Sequence, residues 1–374
     1  MNILFVTACY PSAQRPHYCI YLEQQAAALQ SLGHRVDILL LRHKEPVSDP
    51  ADYLQNGLQV HELELPDAPI EKFFTGSATK GALAAFPWQN YQVISMHLLK
   101  VTHASTVAQL CRQKGVPTLM HFHGLNVWKE YAPGKGLKHR LMDTLRTWQR
   151  KQLLRRCTAV VGVSNRVCDA VKQKAPKAKT YRVYNGVDLK RFYPGEPEPG
   201  FRVVCVANLI PLKGQRDLLD AMAMLTHRQL SLLIIGEGPD REVLEQDARQ
   251  RQLNVTFRGA LDYDEMAACL RTSRMFVMPS RYEAFGCVFV EAMASGLLTC
   301  GCADTGADEI IDHEKNGLLL PMKDPKAIAR AIERAMDDPA WARNLAQQGC
   351  RRAAGFSWEQ SARALETVYL DVLK

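Results

Sequence analysis

The chain has 374 residues, of which 47% are hydrophobic and 23% charged, a composition typical of a soluble globular protein. This length predicts about two domains, and the lack of an apolar run of about 18 residues argues against a transmembrane helix. Eleven scattered cysteines without a CxxC pair favour reduced thiols over a disulfide framework or a zinc site, and the start MNILFVTACYPS lacks the basic region of a secretory signal. A cytoplasmic protein is therefore expected.

The net charge of +8 is concentrated in the first half. Residues 1–200 hold 26 basic and 15 acidic residues, a balance of +11, whereas residues 201–374 hold 21 and 24. The segment 101–182 alone has 17 basic and 3 acidic residues. Within it, a predicted helix places apolar or neutral side chains at helical spacing: Leu137, Leu141, Leu145, Trp148 and Gln152. This pattern predicts either a helix that lies on an anionic membrane surface or a solvated helix that packs its leucines inward.

The first half alternates short apolar strands with longer helical periods, which is the pattern of a parallel α/β sheet. The predicted strands are Ile3–Thr7, Val36–Leu41, Gln59–Leu63, Val93–Met96, Thr118–His121 and Val160–Val163. A helix is predicted over YLEQQAAALQSLG, closed by Gly33. The regular pattern stops around YRVYNGVDLKRFYPGEPEPG, whose proline, glycine and glutamate content predicts a linker between two domains.

The second half starts the same pattern again after this linker. Its predicted strands are Arg202–Val206, Ser231–Ile235, Val255–Arg258, Met275–Met278, Leu298–Gly301 and Gly317–Leu320. Two facing, doubly wound domains would hold a ligand in a cleft at the carboxyl ends of their strands. We therefore expect functional residues directly after strands.

The first such group follows Thr118–His121 in the stretch TLMHFHGLNVW. It contains His121 and His123, followed by Gly124 and Asn126. A histidine in a cleft can donate a hydrogen bond to a substrate oxygen or to developing charge. Two histidines at alternate positions could also begin a metal site, but no third ligand is evident, and a purely structural histidine is the commoner case.

Two loops of the second half have features of phosphate sites. Lys213 and Gly214 directly precede a predicted helix, where a lysine and free backbone amides could bind phosphate, although an ordinary surface lysine explains the pattern equally well. Gly236 and Gly238 follow the next strand and would permit close backbone approach, although a tight turn would also need them. The lysine and hydroxyl of a P-loop are missing.

The stretch RYEAFGCVFVEAMASG places two glutamates eight positions apart in a mostly apolar run. Beyond its first arginine, the stretch offers neither Glu283 nor Glu291 a cationic partner, and a buried carboxylate without a partner is costly. Gly286 begins a predicted helix, so the amides around Phe285 and Cys287 would be donors into the cleft. Fixed carboxylates of this kind suit the hydroxyls of a sugar ring and a ribose.

Together these segments resemble the retaining glycosyltransferases of family 4, the group 1 glycosyltransferases, which have the GT-B fold of two facing Rossmann-like domains. The resemblance covers almost the whole chain and follows the family order of HFHGLNV, VGVSNRV, YNGVDLKRFYP, LIPLKG, IIGEGPDR, VTFRGAL, MPSRYEAFGCVFVEAMASG and TGADEIIDHEKNGLLL. It implies an acceptor-side domain over residues 1–190, completed by a terminal helix over 357–374. A domain that binds the nucleotide-sugar donor would cover 191–356.

The resemblance also implies a role for each candidate residue. Glu283 would bind hydroxyls of the donor sugar, Glu291 would bind the ribose, Lys213 would hold the diphosphate and His123 would lie beside the reacting centre. The catalytic set implied is His123, Lys213 and Glu283. The other donor-binding positions implied are Asn208, Gly236, Gly238, Arg258, Phe285, Gly286, Cys287, Val288 and Glu291.

The reaction implied transfers a sugar from a nucleotide-sugar donor to a glycan or lipid-linked acceptor, with retention of configuration. The expected donor is linked to UDP or GDP. No metal and no cofactor are expected, because Lys213 and helix amides would stabilise the leaving diphosphate. Front-face attack is favoured, since no acid occupies the place of a covalent nucleophile. The setting implied is bacterial surface polysaccharide or lipopolysaccharide synthesis, with the protein on the inner face of the cytoplasmic membrane.

Three positions depart from the family pattern. Asn208 replaces an arginine that usually clamps the diphosphate, and Arg216 could substitute for it. Cys19 replaces a glycine of the first loop, and Asn126 replaces an aspartate.

Two alternative functions stay open: a GT-B sugar-nucleotide epimerase, and a nucleotide-binding or membrane scaffold without catalysis. No nucleic-acid partner is expected, since the basic segment lacks interleaved aromatic residues.

Overall fold

The computed structural model describes residues 1–11, 19–43, 53–65, 75–124 and 137–374, with backbone alone at 43 and 137–143. Asn126 lies outside the described residues. The chain forms two compact units: Met1–Asn185 together with Trp358–Lys374, and Gly186–Ser357. The division between residues 185 and 186 lies close to the 190/191 boundary predicted from the sequence.

In the described part of the first unit, the strands form a single sheet with the order β3-β4-β2-β1-β5-β6-β7-β8. All neighbours are parallel except β3 and β4. The central strands are apolar on both faces because helices cover the two sides of the sheet. The strands are β1 (Asn2–Thr7), β2 (Arg35–His43), β3 (Tyr53–Gln55), β4 (Leu58–Leu65), β5 (Val93–His97), β6 (Thr118–Phe122), β7 (Ala159–Gly162) and β8 (Thr180–Arg182).

The helices of the first unit include the last helix of the chain. They are α1 (Ile20–Ser31), α2 (Ser77–Ala85), α3 (Val101–Gln113), α4 (Leu137–Arg156), α5 (Asn165–Lys174) and α12 (Trp358–Val372). α12 packs beside α1, and its Leu365 and Tyr369 belong to the core of the first sheet. α1 starts after Cys19, whose φ of 58° lies in the left-handed region that favours glycine. A glycine at this position would adopt the same φ without the steric strain that a Cβ introduces.

The second unit holds a parallel sheet of order β11-β10-β9-β12-β13-β14 over its described residues. Its strands are β9 (Phe201–Val206), β10 (Leu230–Ile235), β11 (Val255–Phe257), β12 (Met275–Val277), β13 (Leu298–Cys302) and β14 (Leu318–Leu320). Its helices are α6 (Gln215–Met224), α7 (Arg241–Gln250), α8 (Tyr263–Arg271), α9 (Cys287–Ala294), α10 (Pro325–Asp337) and α11 (Pro339–Ala353). The strand order reverses between β9 and β12, and ligands bind doubly wound sheets at such a reversal.

The predicted fold class, two doubly wound α/β domains, is confirmed, and each predicted strand has a counterpart within a few residues. Two strands were not predicted. β3 pairs with β4 through a tight turn whose Asn56 and Gly57 both have positive φ. β8 includes Tyr181 and Arg182, where the sequence predicted the start of a linker. Its three residues are partly buried or exposed and form no apolar run, so the strand gave no signal in the sequence. Within the described part of the chain, no helix is long and apolar enough to cross a membrane.

Candidate functional site

The loops after β9 and β12 bring Lys213 and Glu283 together in the second unit. Lys213 ends a short 3₁₀ turn before α6, and Glu283 lies between β12 and α9. The Lys213 Nζ atom lies 2.5 Å from Glu283 Oε1, and the two side chains are 21% and 10% exposed. Glu283, for which its own stretch offers no cation beyond Arg281, therefore has a cationic partner from the neighbouring loop.

Contacts from the β12 loop hold the turn that carries Lys213. The Arg281 backbone amide donates to the Leu212 carbonyl at 2.8 Å, and its guanidinium donates to both carboxylate oxygens of Asp217, at 3.1 and 3.2 Å. A Cβ on Gly214 would lie 2.2 Å from the Pro279 carbonyl oxygen, so the two loops touch backbone to backbone. Sequence reasoning missed the Asp217–Arg281 pair, because no local pattern links a first-turn aspartate to an arginine 64 residues later.

Glu291, in the second turn of α9, is almost completely buried and has a phenol as its partner. The Tyr263 hydroxyl donates to Glu291 Oε1 at 2.7 Å. Burial raises the pKa of Glu291 to about 7, although the Tyr263 hydrogen bond and the charge of Arg191 lower it in part. Arg191 lies over the Tyr263 ring, 5.4 Å from its centroid, and pairs with Asp264 at 2.8 Å. Sequence reasoning did not select Tyr263 or Arg191.

The start of α9 presents backbone amides beside Glu283. Gly286 has a φ of 89°, and among the described residues no side chain caps this helix end. The Phe285 side chain is 2% exposed and belongs to the core, so this residue can contribute only its backbone to a ligand. Cys287 and Val288, the first two helical residues, are partly exposed. An uncapped helix start of this kind favours an anion.

The two glycines after β10 allow their loop to pack closely against the loop after β9. A Cβ on Gly236 would lie 2.0 Å from the Ala207 carbonyl oxygen, and one on Gly238 would lie 2.3 Å from the Leu209 carbonyl oxygen. The Leu209 amide also donates to the Glu237 carbonyl at 2.8 Å. These glycines therefore shape the loop after β9, and a direct approach to a ligand is not needed to explain them.

Three further candidate positions of the second unit have exposed side chains. Asn208 is exposed, and its carbonyl accepts a hydrogen bond from Gln215 Nε2 at 3.0 Å. Arg216 is exposed on the first turn of α6. Arg258 is exposed after β11, while its amide donates to the Ile234 carbonyl at 3.0 Å. None of the three belongs to the Lys213–Glu283 pair, and Asn208 offers no cation in place of the family arginine.

The first unit holds a cluster of three histidines at the carboxyl ends of β5 and β6. His121 Nε2 lies 3.1 Å from Ser95 Oγ, and His97 Nδ1 lies 3.0 Å from His123 Nε2. Burial lowers the pKa of His97 and of His121 well below 6.5, and that of His123 to about 4. Sequence reasoning found two members but missed His97, which ends a strand of its own. Within the described ranges, no group of three side chains is arranged to hold a metal ion.

Two family models match the chain, one for each half. The model described as glycosyltransferase family 4 matches residues 20–191, and the model described as glycosyl transferases group 1 matches residues 187–352. A glycogen synthase of Mycobacterium tuberculosis is 28% identical over 402 residues, covering 99% of this chain and 94% of that protein. An uncharacterized glycosyltransferase of Methanocaldococcus jannaschii is 25% identical, covering 99% of this chain and 98% of the other.

Solved structures agree with these matches. A sucrose-phosphate synthase from Thermosynechococcus elongatus is 26% identical with a TM-score of 0.80, covering 100% of this chain and 99% of the other. The Anabaena protein HepE, solved in complex with UDP, is 18% identical with a TM-score of 0.77 over 99% of this chain and 100% of that one. At that identity HepE supports the fold alone.

Proposed function

The chain belongs to the group 1 glycosyltransferases, and on that basis we propose that it transfers a sugar from a nucleotide-diphosphate donor to a glycan or lipid-linked acceptor. The configuration of the sugar is retained and no metal takes part. The observation that carries this proposal is the Lys213–Glu283 ion pair, 2.5 Å long, at the point where the order of the second sheet reverses. It supports a site that receives phosphate and hydroxyl groups side by side.

Lys213 and Glu283 can hold each other and a donor at the same time. An ammonium has three donors, and one of them serves Glu283, so two remain for oxygens of the diphosphate. A carboxylate accepts up to about four hydrogen bonds, so Glu283 can accept hydroxyls of the sugar as well. The ion pair thus fixes the distance between the phosphate contact and the sugar contact.

The remaining parts of the donor meet groups of the same unit. Amides at Gly286, Cys287 and Val288 would donate to the diphosphate from the start of α9. Glu291, once ionised, would accept both hydroxyls of the ribose, and Tyr263 would hold the carboxylate in place. Asn208, Gly236, Gly238 and Arg258 line or shape the loops that would surround the nucleotide.

In the reaction, the bond between the sugar anomeric carbon and the phosphate oxygen breaks. The acceptor oxygen forms its bond to that carbon on the same face, and its proton passes to the departing phosphate oxygen. Negative charge therefore grows on the diphosphate, where Lys213 and the α9 amides stabilise it, and losing one such contact costs about 3 kcal/mol of transition-state stabilisation. The resemblance also assigns His123 to the neighbourhood of the sugar, and burial keeps its imidazole neutral near pH 7.

We extend the proposal to the site of action, the inner face of a cytoplasmic membrane. α4 exposes Trp148, Lys151 and Arg155 along one stripe, while Leu153 and Leu154 are buried. Trp148 is 55% exposed, which is unusual for a side chain of its size. A basic stripe with an exposed tryptophan suits an anionic bilayer surface and would bring the protein to a lipid-linked acceptor in surface polysaccharide or lipopolysaccharide synthesis.

The proposal is tested by thermal shift with UDP, GDP, ADP, CMP and their common sugar conjugates. A ligand that stabilises wild type but not Lys213→Ala would identify the base and place its phosphate at Lys213, since binding raises apparent stability by mass action. Lys323→Ala, an exposed lysine of the same unit, is the control and should respond like wild type. Product analysis with and without acceptor then separates transfer from epimerisation. If no nucleotide shifts the wild type at millimolar concentration, the proposal fails and a scaffold without catalysis is favoured.

A further inference from the structure

Arg191 belongs to the segment between β8 and β9 and has no role in the function proposed so far. Its guanidinium lies over the ring of Tyr263, 5.4 Å from the centroid, which is the geometry of a cation–π contact. The Tyr263 hydroxyl donates to Glu291 Oε1 at 2.7 Å. One cation of this segment is therefore linked, through a single phenol, to the carboxylate that is proposed to accept the ribose.

Contacts of its backbone and its side chain fix Arg191 in this place. Its amide donates to the Asp188 carbonyl at 3.1 Å, and its carbonyl accepts from Arg271 Nη1 at 3.0 Å. Its Nε atom lies 2.8 Å from Asp264 Oδ1, on the helix that carries Tyr263. Because Asp264 is 81% exposed, this ion pair orients the guanidinium more than it stabilises the fold.

The Tyr263 ring is held on another side by Phe192, which is almost completely buried. The two rings meet edge to face, at 77° and with centroids 5.5 Å apart. Burial, the charge of Glu291 and the neighbouring Cys287 raise the pKa of Tyr263 well above 10. The phenol therefore stays protonated and donates to the carboxylate from a fixed position.

Glu291 needs this support because it is buried. Burial raises its pKa to about 7, while the Tyr263 hydrogen bond and the charge of Arg191 lower it. An ionised carboxylate can accept both hydroxyls of a ribose, whereas a protonated one loses part of its acceptor capacity. Since the two forms are close to balance near pH 7, a nearby positive charge increases the fraction of Glu291 that can accept a ribose.

Other titratable groups lie on elements that pack against α9. Cys300 belongs to β13 and Cys350 to α11, and both elements contact this helix. Burial raises the pKa of both thiols, so they are neutral near pH 7. Of the two side chains that lower the pKa of Glu291, Tyr263 and Arg191, it is Arg191 that carries a charge.

We propose that Arg191 is a positioning residue for the ribose of the donor: it holds the Tyr263 ring in place and supplies the positive charge that keeps Glu291 able to accept both ribose hydroxyls. The inference deepens the proposed function and rests on its assignment of Glu291 to the ribose. Arg191 itself touches no part of the donor and acts through Tyr263 and Glu291.

Two substitutions separate the charge of Arg191 from its packing. Arg191→Gln keeps a hydrogen-bond donor but loses the charge, whereas Arg191→Lys keeps the charge. The affinities for UDP and for GDP are measured by calorimetry between pH 6.5 and pH 9. We expect Arg191→Gln to bind the preferred nucleotide about fourfold more weakly than wild type at pH 6.5, and equally well at pH 9, where Glu291 is ionised in both proteins. Arg191→Lys should stay close to wild type at every pH.

Two further variants serve as controls for this measurement. Arg249→Gln makes the same charge change at an exposed arginine of α7 and should bind like wild type at every pH. Arg191→Met is a second neutral variant, which decides the question if Arg191→Gln does not fold.

The link to the ribose is tested by removing its two ends. The 2′-deoxy forms of UDP and GDP lack one hydroxyl that Glu291 would accept, so the deficit of Arg191→Gln should shrink with them. In a Glu291→Gln background, Arg191→Gln should no longer change the affinity, since no carboxylate is left to ionise. A deficit that is equal at pH 6.5 and pH 9, or that persists without the Glu291 carboxylate, would overturn the inference.

A measurement without ligand keeps this inference separate from the proposed function. The folded pKa of Glu291 exceeds its ordinary value of 4.5, so ionising this residue in the folded state costs stability above that pH. Loss of the nearby cation should increase the cost. We expect Glu291→Gln to raise the melting temperature at pH 8 more in the Arg191→Gln background than in wild type, and equally in both near pH 4.5. If the melting data agree but neither UDP nor GDP binds wild type, the link between Arg191 and Glu291 holds and the proposed function fails.

Discussion

The ammonium of Lys213 and the carboxylate of Glu283 form an ion pair 2.5 Å long between residues 70 positions apart. Each group comes from a loop that directly follows a strand, and the two strands, β9 and β12, are neighbours. The pair therefore depends on the sheet order and cannot exist in either loop alone. It makes the stability of the second unit and its proposed donor site depend on the same two side chains.

Removing the cation of this ion pair should destabilise the protein. Lys213→Met leaves Glu283, which is 10% exposed, as a carboxylate without its cation. We expect a loss of about 2 kcal/mol in the free energy of unfolding at pH 8, less than for a fully buried pair because Lys213 is partly exposed. Denaturant unfolding of wild type and variant at pH 8 measures this loss.

A double variant provides the control for the ion-pair prediction. Lys213→Met with Glu283→Gln removes both charges, so it should regain most of the stability lost at pH 8. Lys323→Met removes an exposed lysine of the same unit and should leave the stability unchanged. Equal losses for the single and double variants would show that the pair does not stabilise the fold.

Glu291 should make stability fall as pH rises. Its folded pKa of about 7 exceeds the ordinary value of 4.5, so the folded state keeps a proton that the unfolded chain loses. The resulting penalty is absent below pH 4.5, grows between pH 4.5 and 7, and then stays constant on the order of 3 kcal/mol. Glu291→Gln removes this penalty. The variant should melt higher than wild type at pH 8, and its advantage should vanish near pH 4.5.

Glu242→Gln is the matched control for this pH dependence, because Glu242 is exposed on α7. It should follow the wild-type melting temperature at every pH. A Glu291→Gln advantage that is the same at pH 4.5 and pH 8 would contradict the assignment of the titration to Glu291. In the proposed function, the same variant should bind the selected nucleotide more weakly, so added stability and lost affinity should appear together.

The fold could be predicted from the sequence to a large extent, because strands buried on both faces give short apolar runs. β3 is the instructive exception. Its three residues are partly buried or exposed and form no apolar run, yet Asn56-Gly57, the dipeptide preferred in tight hairpin turns, marks the turn that joins it to β4. The signal was present in the turn and absent from the strand.

Part of the candidate site could be predicted because its residues directly follow strands. Lys213 and Glu283 could be chosen in this way, and the structure places them in contact. Tyr263 and His97 could not, because each becomes relevant only through a partner distant in the chain, Glu291 and His123 respectively. Such pairs depend on strand order and helix packing, which no local pattern contains.

Gly236→Ala should destabilise the second unit strongly. Its φ of 136° is one that alanine rarely adopts, and the new Cβ would lie 2.0 Å from the Ala207 carbonyl oxygen, a backbone atom that cannot rotate away. We expect a loss of about 3 kcal/mol in the free energy of unfolding. Gly81→Ala, in α2 with open space around it, should instead be stabilising by about 0.5–1 kcal/mol. Similar melting temperatures for the two variants would refute the proposed loop contact.

Charge reversal on α4 should abolish binding to anionic membranes if this helix is the docking face. Lys151→Glu with Arg155→Glu changes the charge of the exposed stripe by four units beside Trp148. Each basic residue near an anionic surface contributes about 1 kcal/mol, so two reversals should lower the partition coefficient by at least tenfold. Sedimentation with liposomes of phosphatidylglycerol and phosphatidylcholine at low salt measures the partition coefficient.

Lys323→Glu with Lys326→Glu makes the same charge change on exposed residues of the second unit, so this control separates a local effect from one of net charge. If both double variants lose binding equally, only the net charge matters; if wild type ignores the liposomes, the membrane proposal is wrong.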